Sequence, residues 1–135
     1  AAAAMPETVL VVDANAVSRK VLVRMLDSLG LRVAVDAVDN ASEAVERVTS
    51  AAGRYGLVLV DLATPQGLSA ARTIRREQAR QGVAARYATP VVGLTGHAIS
   101  DLPQSERDAG FRDFLRKPVL RGDMKACLLR WIKHA

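Results

Sequence analysis

The stretch Leu57-Val58-Leu59-Val60-Asp61 constrains the fold more than any other part of the chain, because four apolar residues in a row end abruptly at a carboxylate. An unbroken apolar run suits a central parallel strand buried on both faces, and the residue at its carboxyl end lies where open α/β sheets place their sites. Asp61 is therefore the first candidate functional residue. Two other runs end in the same way: Val9–Val12 leads into Asp13, and Val91-Val92-Gly93-Leu94 leads into Thr95. If the three strands are parallel, two carboxylates and a hydroxyl meet at one edge of the sheet.

The pattern between these runs predicts alternating helices. Asn15 or Ser18 caps a helix running to about Leu29, with Val21, Leu22, Met25, Leu26 and Leu29 on one face and Gly30 as terminator. Leu31–Val35 alternates and reads as a more exposed strand. Asn40 and Glu43 resemble a capping box opening a helix that Gly53 closes. After a Pro65-Gln66-Gly67 turn, a helix from about Leu68 to Gln81 turns Leu68, Ala71 and Ile74 inward. Asp101 is expected to cap a weak helix ending at Gly110, with Leu102 and Ala109 inward and Gly96 to Ser100 an extended loop. Phe111–Leu115 reads as a fifth strand ended by Lys117-Pro118, and a last helix from about Arg121 to Lys133 buries Met124, Leu128 and either Trp131 or Ile132. The predicted fold class is α/β, a doubly wound parallel sheet of five strands with five helices.

A chain of 135 residues, 50% hydrophobic and 24% charged, has the size and composition of one globular domain with an aliphatic core, since only 4% is aromatic. No apolar run is long enough to span a bilayer, so no membrane insertion is expected of this segment. Residues 1–6 read as a disordered leader or a cloning scar, and 7–135 as the domain. The single cysteine, Cys127, has no internal disulfide partner. It reads as core packing and fits a reducing, cytoplasmic setting. The formal charge of +5 fits an acidic partner or anionic ligand. No motif accompanies it that would argue direct DNA binding. Arg72, Arg76 and Arg80 recur every fourth residue on one helix face, offset only by Glu77. They are either a solvated face or a surface for an anion or an acidic partner. The chain lacks a Gly-rich dinucleotide fingerprint, a Walker lysine loop and a Gly-x-Ser-x-Gly elbow. His97 lies near the proposed site, and His134 near the end of the chain.

The order Asp13 after the first strand, Asp61 after the third, Thr95 after the fourth and Lys117-Pro118 after the fifth resembles the receiver domain of two-component signalling, which has the flavodoxin-like fold. The segments "TPVVGLTGHA" and "DFLRKPV" look most like receivers of hybrid sensor histidine kinases. The resemblance implies that Asp61 is the acceptor of a phosphoryl group from phosphohistidine, on a histidine kinase, a histidine phosphotransfer domain or an intramolecular kinase core. Lys117 matches the lysine that pairs with phosphoryl oxygens, Thr95 the hydroxyl that bonds them, and Phe114 the aromatic switch residue. The domain itself would at most catalyse its own phosphorylation, by positioning and charge neutralisation. Magnesium would be held by Asp13, Asp61 and the backbone carbonyl of Ala63.

Two departures weaken that site. The family carries two adjacent acids after the first strand, whereas Ala14 follows Asp13 here. It also carries Met-Pro and a longer spacer after the acceptor, whereas Asp61-Leu62-Ala63-Thr64-Pro65-Gln66-Gly67 keeps the proline and is shorter by two residues. Magnesium binding is thus expected to be weak or absent. Two mechanisms follow. Either Asp61 accepts phosphate slowly, or the domain is a pseudo-receiver that docks a partner or senses an anionic nucleotide such as a cyclic dinucleotide. The expected location is the cytoplasm, on a free chain or as part of a membrane-anchored sensor kinase.

Overall fold

A computed structural model describes residues 7–50, 54–107 and 109–132. Within them the chain alternates β1 (Glu7–Val12), α1 (Ala16–Asp27), β2 (Val33–Val38), α2 (Ala41–Ser50), β3 (Tyr55–Asp61), α3 (Gly67–Arg80), β4 (Val91–Thr95), α4 (Gln104–Arg107), β5 (Asp113–Arg116) and α5 (Arg121–Trp131). All strand pairs are parallel, and the sheet order is β2-β1-β3-β4-β5. The winding direction reverses between β1 and β3, so the carboxyl ends of these two strands flank the crevice where doubly wound sheets hold ligands.

The apolar runs are continuous because both faces of the sheet are covered. Val9, Val11, Leu57, Leu59, Val92 and Leu94 pack on Leu22 and Leu26 of α1 and on Met124 and Leu128 of α5. Leu10, Val12, Val58, Val60 and Val91 pack on Ala44 and Val48 of α2 and on Ala71 and Ile74 of α3. A polar residue inside β1 or β3 would be buried against one layer or the other without a partner, at a cost of a few kcal/mol. Polar residues therefore appear only where these strands end.

The helix ends follow the sequence signals in part. Asn15 is the α1 cap, its side chain accepting from Ser18 N at 2.9 Å, and the helix ends at Asp27 ahead of Gly30, whose φ is +73°. Asn40 Oδ1 accepts from Glu43 N at 2.8 Å, but the Glu43 carboxylate turns to Arg47 at 3.0 Å instead of back to the cap. Gly53 and His134 lie outside the described residues, as do residues 1–6. In α3 the buried positions are Ala70, Ala71, Ile74 and Gln78, while Leu68 is only half-buried. Gln78 is satisfied by a reciprocal pair with Thr89, donating to its Oγ1 at 2.8 Å and accepting from its N at 2.9 Å.

Three expected boundaries move. The second strand is Val33–Val38, not Leu31–Val35, because pairing from Glu7↔Val33 to Val12↔Val38 sets its ends and an edge strand lacks a clear burial signal. The fifth begins at Asp113, not Phe111. The weak helix capped by Asp101 is not formed as expected: Asp101 closes a 3-10 turn over Ile99–Asp101, and α4 is one turn, Gln104–Arg107. Leu102 and Ala109 are buried as expected but flank that turn, which has no buried residue of its own to extend a helix. In α5, Met124, Cys127 and Leu128 are buried, and Ile132, not Trp131, completes the face. Cys127 packs into the core from α5, and burial pushes its thiol up to about 12.

Candidate functional site

The carboxyl ends of β1 and β3 open a cleft of about 470 Å3 lined by Asp13, Asp61, Ala63, Thr64 and Lys117 together with the start of α1. Asp13 and Asp61 are each 2% exposed. Asp61 Oδ1 accepts from Ala63 N at 2.9 Å, while Oδ2 pairs with Lys117 Nζ at 2.6 Å. Lys117 reaches Asp61 from the end of β5, where its own N donates to Thr95 O at 2.7 Å and its peptide bond to Pro118 is cis. Asp13 Oδ1 accepts from Asn15 N at 2.9 Å. Its Oδ2 is buried and has no hydrogen-bond partner.

An unpaired carboxylate oxygen inside a polar cleft is costly unless a cation or a donor reaches it. Asp13 Oδ2 beside Asp61 thus suits a hard divalent cation that keeps several waters. Among the described residues no cluster of three or more His, Cys, Asp or Glu side chains forms a metal site, so Asp13 and Asp61 are the carboxylates that this cleft offers a cation. Ala14 contributes no side-chain ligand.

The structure brings Asp13, Asp61, Ala63 and Lys117 together, as expected. Thr95 follows Leu94, the pairing partner of Asp61, at the same edge of the sheet; it is 2% exposed and is not among the residues lining the cleft. Its hydroxyl is engaged in its own loop, accepting from His97 N at 3.0 Å. The His97 side chain is exposed. Phe114 is half-buried with its ring over Gly93, and the Phe111 ring centroid lies 5.1 Å from its own. A Cβ on Gly93 would fall 2.9 Å from the Phe114 ring and 3.3 Å from Leu62. Gly93→Ala is therefore expected to push Phe114 off β4 and to destabilise the domain by about 1–3 kcal/mol in urea unfolding, and a loss below about 0.5 kcal/mol would show that the ring moves freely.

The repeat of arginines resolves differently from the sequence pattern. Arg80 is taken by Glu77 at 2.5 Å, which lowers the Glu77 carboxyl through that hydrogen bond. Arg75 takes its place: Arg72, Arg75 and Arg76 line a groove of about 470 Å3 with Ala79, Ala109 and Gly110. One site residue was missed from sequence. Thr64, 3% exposed, accepts from Ala14 N at 3.0 Å across the cleft wall.

Fold and site together define a doubly wound α/β domain with an acidic, lysine-bridged cleft at its switch point. Residues 9–129 match the response regulator receiver domain, and the chain belongs to this family. It is 31% identical over 89% of its length to the osmosensing histidine protein kinase SLN1 of Saccharomyces cerevisiae, and 30% identical over 91% to the sensor protein GacS of Pseudomonas syringae. The chain spans only 10% and 13% of those two proteins. Among solved structures it is similar to the receiver domain of sensor histidine kinase PA1611 from Pseudomonas aeruginosa, at 32% identity and TM-score 0.77, covering 95% of this chain and 98% of that one. That structure has a magnesium ion coordinated in its active-site cleft. The receiver domain of the yeast response regulator Ssk1, in complex with the histidine phosphotransfer protein Ypd1, shares the fold at TM-score 0.82 and 22% identity, covering 98% of this chain and 95% of that one.

Proposed function

We propose that the chain is a phosphoryl-accepting receiver of a hybrid-kinase phosphorelay, with Asp61 as acceptor. The observation that carries this reading is the pairing of the buried Asp61 with the partly exposed Lys117 at 2.6 Å, in the cleft that also holds the unpaired Asp13 Oδ2. A carboxylate oxygen of Asp61 attacks the phosphorus of a phosphohistidine; the O–P bond forms as the P–N bond breaks, and the histidine nitrogen keeps the electron pair and is left to take a proton. Ala63 N fixes the rotation of the Asp61 carboxylate. Lys117, only 31% exposed in its side chain, moves from Asp61 to the phosphoryl oxygens as charge develops there. Thr95 turns its hydroxyl to donate to a phosphoryl oxygen, withdrawing Oγ1 from the His97 amide that it accepts from at 3.0 Å. Asp13, Asp61 and the Ala63 carbonyl would hold a magnesium ion, which would supply charge neutralisation at the acceptor.

The donor on this reading is a histidine kinase or a histidine phosphotransfer domain, which places the chain in the cytoplasm, free or attached to a membrane-anchored sensor. No helix among the described residues is long and apolar enough to cross a membrane. The test is incubation with a phosphorylated histidine phosphotransfer domain and magnesium, with the acyl phosphate located by peptide mapping. Label on Asp61 supports the reading; a chain that stays unlabelled under these conditions refutes it. The Arg72, Arg75 and Arg76 groove favours a second reading, a pseudo-receiver that binds an anionic nucleotide such as a cyclic dinucleotide. Calorimetric binding that Arg76→Ala abolishes, with no phosphorylation of Asp61, would favour it over the first.

A further inference from the structure

The loops after β1 and after β3 carry the two departures from the family pattern, and the structure puts those departures in contact. Ala14, where an acid is usual, donates its amide to the hydroxyl of Thr64, where methionine is usual, at 3.0 Å across 50 residues of sequence. The contact is built on fixed backbone at the Thr64 end. Thr64 N donates to Asp61 O at 2.9 Å, and Gly67 N donates to Thr64 O at 2.9 Å. Gly67 sits so close that a Cβ there would lie 3.1 Å from Asp61 O and from Val60 Cγ1. The short loop is thus folded hard against the end of β3 and carries the Thr64 hydroxyl to the β1 side of the cleft.

We propose that Thr64 is a positioning residue for the cation site, clasping the Asp13 loop to the Asp61 loop through the Ala14 amide. Side-chain thioether and side-chain carboxylate are both absent from this junction, and a hydroxyl–amide bond stands in their place. The clasp acts on Asp13 through the chain: Ala14 N is the next amide after Asp13, and Asn15 N, one residue further, already holds Asp13 Oδ1 at 2.9 Å. With the loop tied, the buried and unpaired Asp13 Oδ2 is held in the cleft that Asp61 and Thr64 also line. An ordered carboxylate pair binds a cation without first losing loop entropy, which offsets part of what the missing second acid would have contributed.

This inference rests on the cation site of the proposed receiver function, so its test reads metal binding and loop order, not phosphorylation. The full chain, Thr64→Ser, Thr64→Val and Thr64→Ala are compared by amide hydrogen exchange at Ala14 and by magnesium titration followed through backbone amide shifts. Loss of one hydrogen bond at the clasp is expected to weaken magnesium by about fivefold and to speed Ala14 exchange by a similar factor in Thr64→Val and Thr64→Ala, with Thr64→Ser within about twofold of the parent. Magnesium affinity in the folded Val or Ala variant equal to the parent's overturns the proposal, as does a Ser variant as weak as Val, or a parent that does not bind magnesium. Should Val and Ala both fail to fold, Thr64→Cys, whose sulfur is only a weak acceptor for the Ala14 amide, takes their place, and a magnesium affinity equal to the parent's again overturns the proposal. Labelling of Asp61, measured separately, keeps the two readings apart: normal labelling with unchanged magnesium affinity in Thr64→Val leaves the receiver function standing and removes the role of Thr64.

Discussion

Asp61→Asn is expected to abolish phosphoryl acceptance completely while leaving the domain folded. The acceptor is lost because a neutral amide oxygen is a poor nucleophile toward phosphorus, and the other carboxylate lining the cleft among the described residues, Asp13, is not the one that pairs with Lys117. The fold survives for a geometric reason. The asparagine carbonyl can still accept from Ala63 N, and the abandoned Lys117, with 31% of its side chain exposed, can turn its ammonium to water. The stability change should stay within about 1 kcal/mol, the range for losing one partner of a pair whose other partner is solvated. Incubation with a phosphodonor, peptide mapping and urea unfolding of the variant check both halves. Residual phosphorylation at the level of the parent would move the acceptor elsewhere.

Lys117→Ala is the second large effect, and its stability cost runs the other way. Here the group left behind is the Asp61 carboxylate, whose side chain is 3% exposed and which retains a single hydrogen bond, from Ala63 N. Stranding a buried charge costs about 3–5 kcal/mol when a partner is removed, so this variant should be far less stable than Asp61→Asn although both break the same ion pair. Phosphorylation should also slow by about 10²–10³-fold, the scale set by losing one charged group aimed at the transition state. Denaturant midpoints and single-turnover transfer rates measure the two. Equal stability of the two variants would mean that Asp61 is not the buried, dependent member of the pair.

The parts of the molecule that were legible in the sequence are those where burial leaves one choice. Val9–Val12, Leu57–Val60 and Val91–Leu94 lie in the middle of the sheet with both faces covered, and the polar residue ending each run marked Asp13, Asp61 and Thr95. Edge strands carry less information. β2 is only partly buried, and its position follows from pairing with β1, which no local pattern encodes. The segment between Gly96 and Gly110 carries capping residues without an apolar face to bury, and its described residues form a 3-10 turn and one α-helical turn in place of a full helix. Spacing marks the arginine face but not its pairing: Glu77 takes Arg80, and the open groove is lined by Arg72, Arg75 and Arg76. Thr64 was overlooked for a different reason. Its hydroxyl matters only through a partner 50 residues away, and the available signal was the coincidence of a shortened loop with a hydroxyl where a thioether is usual.

The most direct test of the account is a titration with beryllofluoride in millimolar magnesium, since this acyl-phosphate mimic needs the acceptor, the lysine and the cation at once. Amide shifts of Asp61, Thr95, His97 and Phe114 are followed, with Asp61→Asn as the control. The His97 amide is the sharpest reporter, because it donates to Thr95 Oγ1 at 3.0 Å, the same hydroxyl that is expected to turn and donate to the phosphoryl mimic. Saturable shifts at all four residues, absent from the control, are the predicted result. A spectrum that stays unchanged, or shifts that persist in Asp61→Asn, would contradict the assignment of Asp61 as the acceptor of a working receiver.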